Sequence, residues 1–473
     1  MTLALHDVAV APLALDRFGN VLDEAAYADL MELAQRARAK LAGRVVWCVN
    51  STARGGGVAE MLQSLLAYTR GAGVDTRWVV ADGTPEFFDL TKRIHNCLHG
   101  AAGVSAPAAS DRATYEQVTG AAAEQLVRRV APGDVVILHD PQTAGLAPAL
   151  GTRGIGTAWR CHVGIDEPTD AVRATWAFLA PYVQATDAYV FSREQFVWDG
   201  LDRDRAIVIP PSIDVFSAKN QMLAPNSAFA ILATAGIVAD GTRHQAVFHR
   251  RDGTPARVDR RAQLWQDERI PHGAPFVAQV SRWDRLKDPL GVLQVFSSVA
   301  DAVPDAHLVL AGPATAAVSD DPEGAEVLEE VTAAWEALPG ALRGRVHLAA
   351  LPMDDPEENA AIVNALQSIA TVVVQKSLAE GFGLTVAEAM WKARPVVASA
   401  VGGIQDQVVD GSSGLLADPR DLPAFGEAIA RLLRDPALAR RLGEAAHARV
   451  RDEFLEPRHL RQWFDVVQRI ERM

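Results

Sequence analysis

Cysteines are few in this sequence, and basic residues are outnumbered by acidic ones. The 473 residues include three cysteines, Cys48, Cys97 and Cys161, and no C-x-x-C pair. Each cysteine lies in or near an apolar run, so we expect buried free thiols in a reducing compartment and no redox site. The formal net charge of −13 argues against non-specific binding to nucleic acid.

Long hydrophobic runs are also absent. No apolar run approaches the ~20 residues that a membrane-spanning helix needs. Residues 1–20 do not combine a basic region with a long apolar one, as a secretion signal does. We therefore expect a cytoplasmic protein with no membrane partner. Hydrophobic residues nevertheless make up 49% of the chain, which is enough to build ordinary globular cores.

Several familiar site motifs do not occur. The chain has no G-x-G-x-x-G dinucleotide fingerprint, no G-x-x-x-x-G-K-[ST] phosphate loop and no G-x-S-x-G nucleophile turn. The Asp-x-Asp formed by Asp202 and Asp204 precedes an apolar run instead of following one, and we interpret it as a solvated turn. The sequence thus predicts no metal site.

What the sequence does contain is a regular alternation of apolar runs and amphipathic helical patterns. The runs are residues 45–49, 78–80, 135–138, 188–191 and 207–209, then 276–280, 308–310, 346–348, 372–374 and 396–398. Strands and helices that alternate in two groups predict an α/β fold with two parallel, doubly wound sheets. Such sheets bind ligands at the carboxyl ends of their strands, so two of them would face a shared cleft.

A proline-stiffened segment, residues 210–214, separates the two groups. A chain of this length exceeds what one core usually organises, and we place the domain boundary at this segment. The first domain is predicted to span residues 1–212 and the second residues 213–454. An amphipathic helix within residues 455–473, containing Trp463 and Phe464, is expected to return to the first domain.

The most informative segment is residues 371–388. Residues 371–374 predict a buried strand, Gly381 and Gly383 permit a tight turn and close approach to a ligand, and a helix is expected from Leu384. The first amides of a helix have no intrahelical acceptor, and its dipole is positive there. Phosphate is therefore a natural ligand of this turn.

Two carboxylates bracket this turn. Glu380 lies just before it and could accept hydrogen bonds from sugar hydroxyls, whereas Glu388 lies about one turn into the helix and could bind a ribose diol. Their separation suits a nucleotide-sugar. By itself, the Glu-x7-Glu pattern could equally consist of two solvated residues. The preceding strand, the glycines and the apolar run after Arg394 favour a site.

A second loop supplies cations. Arg282 and Lys287 lie five residues apart, after the first strand of the second domain. An arginine fork and a lysine ammonium can bind one diphosphate and stabilise its departure without a metal ion. The alternative is a surface cluster in which the cations pair with Asp284 and Asp288.

The first domain offers a glycine loop and three polar residues at strand ends. Residues 50–57, with the sequence NSTARGGG, precede a helical pattern and predict an anion or substrate site, although the glycines could serve a tight turn alone. His139 and Asp140 follow the apolar run of residues 135–138, and His162 ends another apolar run. Each could bind a sugar hydroxyl or be structural; we favour a functional role for His162 and leave the other two open.

Residues 217–264 interrupt the alternation with a concentration of basic residues. The arginines are Arg243, Arg250, Arg251, Arg257, Arg260 and Arg261, in an otherwise acidic protein. We favour a solvated insertion or interface element over a phosphate or substrate role for this segment.

Together these features resemble the retaining GT-B glycosyltransferases of family four over nearly the whole chain. Within that family the chain is similar to the trehalose-forming branch, which contains the glycosyltransferring trehalose synthases and the trehalose phosphorylases. The strings that carry this similarity are residues 49–60 (VNSTARGGGVAE), 86–92 (EFFDLTK), 139–142 (HDPQ), 159–162 (WRCH) and 209–214 (IPPSID).

The resemblance implies a reaction and a set of residue roles. Glucose would pass from a nucleotide diphosphate-glucose to glucose with retention, forming trehalose, and the leaving phosphate would help to deprotonate the acceptor, so that no cofactor is required. Catalysis would depend on Arg282, Lys287, His162 and Glu380. Donor binding would use Gly55, Gly56, Gly57, Arg282, Lys287, Glu380, Gly381, Phe382, Gly383, Leu384 and Glu388, and acceptor binding would use Asn50, Arg54, His139 and Asp140. Sugars and nucleotide-sugars are the expected partners, and a homodimer is compatible with the sequence.

Alternatives stay open at this point. A trehalose phosphorylase would use inorganic phosphate, and the arginine-rich segment is the feature that hints at it. A related family-four enzyme would use another acceptor. A GT-B-shaped nucleotide-sugar epimerase would need acid and base groups and would make no disaccharide. The residues do not specify whether the donor carries UDP, ADP or GDP.

Overall fold

The protein forms two compact units. A computed structural model describes residues 4–53, 56–101, 103–239, 244–315 and 322–470. One unit comprises Met1–Ser212 together with Phe454–Met473, and the other comprises Ile213–Glu453. Each unit is built around one seven-stranded sheet.

The first unit alternates strands and helices along the chain. Its strands are β1 (Leu5–Val8), β2 (Val45–Asn50), β3 (Asp75–Ala81), β4 (Val135–His139), β5 (Gly156–Arg160), β6 (Ala188–Phe191) and β7 (Ala206–Val208). Its helices before the boundary are α1 (Glu24–Lys40), α2 (Gly56–Gly71), α3 (Pro85–Leu98), α4 (Asp111–Val127), α5 (Ala147–Gly151) and α6 (Asp170–Val183).

The first sheet has the strand order β1-β3-β2-β4-β5-β6-β7. Strand β1 is antiparallel to β3, and the other neighbouring pairs are parallel. Strand β4 is buried along its whole length, as expected for an apolar strand covered on both faces. Because the strands are parallel, the carboxyl ends of β2, β4 and β5 lie along one edge of the sheet, next to the predicted polar residues.

The second unit repeats this plan. Its strands are β8 (Val247–His249), β9 (Pro255–Arg257), β10 (Gln263–Trp265), β11 (Phe276–Val280), β12 (His307–Pro313), β13 (Val346–Leu351), β14 (Val372–Gln375), β15 (Val396–Ser399) and β16 (Leu415–Ala417). Its helices are α7 (Pro225–Ala235), α8 (Pro289–Val299), α9 (Pro322–Glu336), α10 (Gly340–Arg343), α11 (Pro356–Ile369), α12 (Leu384–Trp391), α13 (Ile404–Gln407), α14 (Leu422–Arg434) and α15 (Pro436–Glu453).

The second sheet has the order β10-β13-β12-β11-β14-β15-β16, and β8 and β9 form a separate antiparallel pair. Strand β10 is antiparallel to β13, and the remaining pairs are parallel. The predicted α/β class with two parallel, doubly wound sheets is confirmed. The antiparallel edge strands β1 and β10 are additions that the apolar runs do not predict.

The last helix, α16 (Glu456–Ile470), belongs to the first unit, as predicted. It contacts α1, α2 and β5 and buries Trp463 and Phe464. At its end, the side chain of Ile470 lies so close to Gly156 that a Cβ on this glycine would be 2.6 Å from Cγ2 of Ile470. A glycine at the start of β5 therefore allows the helix to pack tightly on the sheet.

The three cysteines are free and buried, as predicted. Burial raises the pKa of Cys48 to about 12 and also raises the pKa of Cys161. Both thiols therefore stay protonated at neutral pH, which suits a packing role.

The arginine-rich segment is attached to the second unit by ion pairs. Arg250 contacts Asp355 at 2.5 Å and Glu357 at 3.0 Å, and Arg260 contacts Glu358. Asp355 also caps helix α11 by accepting the backbone N–H groups of residues 357 and 358. These two arginines thus bind the acidic start of α11, which agrees with an internal interface element. Arg243 lies outside the described residues.

Two kinds of feature are absent from the described residues. No helix in this part of the chain is long and apolar enough to cross a membrane. The same part of the chain contains no group of three or more His, Cys, Asp or Glu side chains arranged to hold a metal ion.

Candidate functional site

The glutamate turn, residues 380–383, connects strand β14 to helix α12 in the second unit. The strand ends at Gln375, one residue beyond the predicted run, and the helix begins at Leu384, as predicted. Gly383 precedes the helix in the left-handed conformation, with φ of 83°, which glycine adopts without strain. The turn therefore presents the N-terminal amides of α12 at the carboxyl edge of the sheet.

Lys287 and Glu380 form an ion pair. The Nζ atom of Lys287 lies 2.5 Å from Oε2 of Glu380, and the Ser377 hydroxyl donates to the same oxygen at 3.2 Å. Both charged side chains are more than four-fifths buried. The residue predicted to bind the diphosphate and the residue predicted to bind the sugar are thus neighbours at the start of α12.

Arg282 has a different partner. Its side chain is 61% exposed, and its guanidinium lies 2.7 Å from Oδ2 of Asp284. Asp284 in turn accepts the backbone N–H of Leu286 at 2.8 Å. The cation loop, residues 281–288, therefore contains the Arg282–Asp284 pair considered as an alternative, whereas Lys287 turns toward the glutamate turn.

A buried glutamine holds the cation loop against the strand that leads into the glutamate turn. Gln279, in strand β11, donates from Nε2 to the carbonyl of Lys287 at 2.8 Å and accepts the backbone N–H of Lys376 at 2.9 Å. The Lys376 ammonium also pairs with Asp288, which caps helix α8. Sequence reasoning missed Gln279, although a polar residue inside the apolar run of residues 276–280 was a usable signal.

A second loop supports the glutamate turn from the other side. Gly403 donates its backbone N–H to the carbonyl of Gly381 at 3.2 Å, and Gln407 donates its side-chain amide to the carbonyl of Phe382. Gly402 has a φ of 47°, and a Cβ on it would lie 1.7 Å from the carbonyl oxygen of Glu380. The Gly402–Gly403 pair, which the sequence reasoning did not single out, is required for this close approach.

Glu388 lies one turn into α12 and is 2% exposed. Its Oε1 lies 3.6 Å from the Lys219 ammonium. Lys392, one turn further along the helix, donates to the carbonyl of Glu388, to Oδ1 of Asn220 and to Oε1 of Gln367 at 3.0–3.1 Å. The segment around Lys219 and Asn220 therefore borders the carboxylate predicted to bind ribose, a contact that the linear sequence does not signal.

The buried Lys392 predicts a pH dependence of stability. Burial lowers the pKa of Lys392 to about 7; Glu388 opposes this decrease and Lys219 adds to it. Between pH 7 and the ordinary lysine pKa of 10.5, the unfolded chain binds more protons than the folded chain. The free energy of unfolding should therefore rise with pH in this window, by at most about 1.4 kcal/mol per pH unit from this group.

We expect chemical denaturation at pH 7, 8 and 9 to show this effect. The free energy of unfolding of the wild type should increase relative to that of Lys392→Met as the pH rises. The exposed Lys92 of α3 provides the control. The difference in unfolding free energy between Lys92→Met and the wild type should be the same at all three pH values. A difference in unfolding free energy between the wild type and Lys392→Met that does not change with pH would contradict the expectation.

The first unit places its predicted polar residues at the ends of β2, β4 and β5. Asn50 is buried, donates its amide to the carbonyl of Thr52 at 2.6 Å and accepts Nε1 of Trp78 at 2.8 Å. Arg54 and Gly55 lie outside the described residues, and helix α2 begins at Gly56 and continues through Gly57. The amide of Asn50 is thus already used to shape the start of this loop.

The histidine cluster consists of His139, Asp140 and His162. One carboxylate oxygen of Asp140 accepts the backbone N–H of His162 at 2.8 Å, and the other lies 2.9 Å from Nδ1 of the same residue. The rings of His139 and His162 stack nearly parallel, with centroids 5.5 Å apart. The structure therefore brings together all three strand-end residues, and Asp140 acts on His162.

Burial and charge set the protonation states of this cluster. Burial lowers the pKa of His162, and the favourable interaction with Asp140 offsets this only in part. Burial and the neighbouring His162 hold the pKa of His139 well below its usual range. Burial alone would raise the pKa of Asp140, but the interactions with His162 lower it. At neutral pH the cluster thus contains neutral imidazoles and an ionised carboxylate.

Comparison with known proteins gives matches in both units. Residues 48–198 match the family "Trehalose synthase, N-terminal domain", and residues 261–449 match "Glycosyl transferases group 1". A protein named trehalose synthase from Rubrobacter xylanophilus is 37% identical over 450 residues, which cover 95% of each chain. A trehalose phosphorylase from Pleurotus pulmonarius is 25% identical over 85% of this chain but only 54% of its own length.

A solved structure supports the same assignment at the level of fold. The UDP-forming α,α-trehalose-phosphate synthase from Burkholderia vietnamiensis superposes with a TM-score of 0.64 over 89% of this chain and 95% of its own, at 16% identity. The fold is therefore of the GT-B type. The chain belongs to the group 1 glycosyl transferases, within the trehalose synthase branch.

Proposed function

We propose that this protein transfers glucose from a nucleotide diphosphate-glucose to glucose with retention at the anomeric carbon, forming trehalose. The observation that carries the proposal is the Lys287–Glu380 pair at the N-terminus of α12, with Glu388 one turn further on. A cation, a helix N-terminus and two carboxylates are the groups that a diphosphate and two polyols require. The relative with 37% identity is named trehalose synthase, and this name supports trehalose as the product.

The second unit would bind the donor. Lys287 would exchange its contact with Glu380 for the donor diphosphate, and the exposed Arg282 would join it from the cation loop. Glu380 would then accept hydrogen bonds from hydroxyls of the donor sugar, and Glu388 from the ribose diol. Gly381, Phe382, Gly383 and Leu384 would bring backbone N–H groups to the phosphates.

The first unit would bind the acceptor. His162 would lie by the donor sugar near the reacting carbon, and Asn50, Arg54, His139 and Asp140 would surround the acceptor, with Gly55, Gly56 and Gly57 beside the phosphate. The leaving diphosphate would take the proton of the acceptor hydroxyl, so no protein carboxylate forms a covalent intermediate, in contrast to retaining hydrolases. In this proposal the enzyme is cytoplasmic and needs neither a metal ion nor a cofactor.

The direct test is to incubate the purified protein with glucose and UDP-, ADP- or GDP-glucose in separate reactions. We expect one or more donors to release nucleotide diphosphate together with a disaccharide of the mass of trehalose, in equal amounts. If no donor gives disaccharide, the proposed acceptor or reaction is wrong.

A parallel incubation tests the phosphorylase alternative. That enzyme would convert trehalose and inorganic phosphate to glucose and glucose 1-phosphate without any nucleotide. The similarity to the phosphorylase from Pleurotus pulmonarius is the reason for this second incubation. The lower identity to that phosphorylase, 25% against 37% for the trehalose synthase, favours the synthase. We therefore expect no glucose 1-phosphate.

A further inference from the structure

Asp140 has a backbone conformation that needs explanation. It follows strand β4 with a φ of 64°, in the left-handed region that non-glycine residues seldom adopt. Hydrogen bonds to strand β5 hold its backbone in this conformation. Its N–H donates to the carbonyl of Arg160 at 2.7 Å, and its carbonyl accepts from Nε1 of Trp159 at 3.0 Å. Such strain persists where the surroundings enforce it, often at functional sites.

The consequence of this conformation is the direction of the carboxylate. Asp140 reaches across the end of β5, where its two oxygens bind two atoms of a single residue, the backbone nitrogen and Nδ1 of His162. The first bond fixes the position of the main chain and the second fixes the orientation of the ring. The stacked ring of His139 restricts His162 from one face.

The same bond selects the tautomer of His162. An ionised carboxylate only accepts hydrogen bonds, so Nδ1 must carry the proton and Nε2 must carry the lone pair. The side chain of His162 is 9% exposed, and its Nε2 has no hydrogen-bond partner among the described residues. A buried acceptor without a partner is costly unless a ligand satisfies it.

We propose that Asp140 is a positioning residue that holds His162 in the Nδ1–H tautomer, so that Nε2 accepts a hydrogen bond from a hydroxyl of a bound hexose. The inference deepens the proposed function and rests on it for the identity of the sugar. It gives Asp140 a role through His162 in addition to its proposed place beside the acceptor.

Asp140→Asn separates the tautomer from the packing. The amide keeps the size of the carboxylate, and its Oδ1 can still accept the backbone N–H of His162. Its NH2 group would then face Nδ1 and require a lone pair there, which moves the proton to Nε2. Nε2 would become a donor, and the hydrogen bond that it accepts in the wild type would be lost.

The first readout is independent of catalysis. Nitrogen-15 NMR of histidine-labelled protein, with the His162 signal assigned by its loss in His162→Gln, reports which ring nitrogen carries the proton. We expect Nδ1–H in the wild type between pH 6.5 and 8 and Nε2–H in Asp140→Asn. A wild-type His162 that is protonated on Nε2 would overturn the inference even if no glycosyl transfer is ever observed.

The second readout is kinetic, with the donor that supports turnover. We expect Asp140→Asn to lower kcat by about 10- to 100-fold, the effect of losing one strong hydrogen bond. Asp187→Asn is the matched control, since Asp187 accepts the backbone N–H and the hydroxyl of Thr157 at the other end of β5. The control should keep its kcat, and Asp140→Asn with a kcat within threefold of the wild type would overturn the inference.

Monodeoxy sugars identify the hydroxyl. A deoxy sugar that lacks the hydroxyl bound by Nε2 should lower kcat of the wild type. The same sugar should have little further effect on kcat of Asp140→Asn. The sugar that shows this non-additivity tells whether His162 serves the donor or the acceptor. Full additivity for every position would contradict the proposed contact.

Discussion

Replacing Lys287 by alanine is expected to lower kcat by about 10²- to 10³-fold, with the chain still folded. In the proposed reaction, negative charge develops on the departing diphosphate, and a cation fixed beside it stabilises the transition state more than the ground state. Lys287 is held at this place because Gln279 binds its carbonyl at 2.8 Å. Arg282 pairs with Asp284 at 2.7 Å, and we do not expect it to replace Lys287.

Two comparisons make this result interpretable. Arg285→Ala removes the same charge two residues earlier, where the guanidinium pairs with Glu330 at 2.7–2.8 Å, and it should leave kcat near the wild-type value. Lys287→Ala also deprives Glu380 of its partner, so the double variant Lys287→Ala/Glu380→Gln is needed. The reference for the double variant is Glu380→Gln alone, because Glu380 has its own proposed role in sugar binding. If Lys287 merely neutralised Glu380, the double variant would be as active as Glu380→Gln; we expect it to be less active than Glu380→Gln by about the factor that Lys287→Ala costs the wild type. A Lys287→Ala enzyme within threefold of the wild type would refute the assignment.

Replacing Gly402 by alanine is expected to cost about 10²-fold in kcat/KM for the donor, because a misplacement of catalytic groups by about 1 Å has effects of that size. The new Cβ would lie 1.7 Å from the carbonyl oxygen of Glu380, so the glutamate turn has to move. The same turn carries the carboxylate that pairs with Lys287 and leads into α12. Its displacement therefore disturbs sugar and phosphate binding together.

Gly411 provides a matched control for this variant. It also has a positive φ, of 70°, but no atom lies within 4 Å of the position of an added Cβ. Gly411→Ala should therefore show the strain of a left-handed alanine, about 1–2 kcal/mol in unfolding free energy, without loss of activity. Equal kinetic effects of the two variants would show that backbone strain, and not contact with the glutamate turn, explains the Gly402 result.

The interior strands were predictable because they are apolar on both faces. Residues 135–138 are all apolar, residues 276–280 contain one polar residue, Gln279, and both runs form fully buried central strands. Strand β10 escaped prediction because it has three residues, all at least partly exposed, and forms only through pairing with β13. Such edges depend on tertiary contacts that a local pattern does not contain.

The residues of the candidate site were easier to predict than their contacts. Lys287 and Glu380 stand 93 positions apart, and their pairing depends on Gln279 bringing two loops together. Asp140 was predicted as a site residue, whereas the left-handed backbone that turns it toward His162 could not be read from a His-Asp-Pro-Gln string. Likewise, Arg250 pairs with Asp355, which lies 105 positions away in the sequence.

The central claim is a retaining transfer from a nucleotide-sugar to glucose, and carbon-13 NMR of the product tests it most directly. The purified protein would be incubated with [1-¹³C]glucose and a nucleotide diphosphate-[1-¹³C]glucose, and the coupling constants at both anomeric carbons would be measured as the product forms. We predict an α,α-1,1 linkage containing one label from each substrate. A β configuration at either anomeric carbon of the disaccharide, or free glucose as the only sugar product, would contradict the proposed reaction.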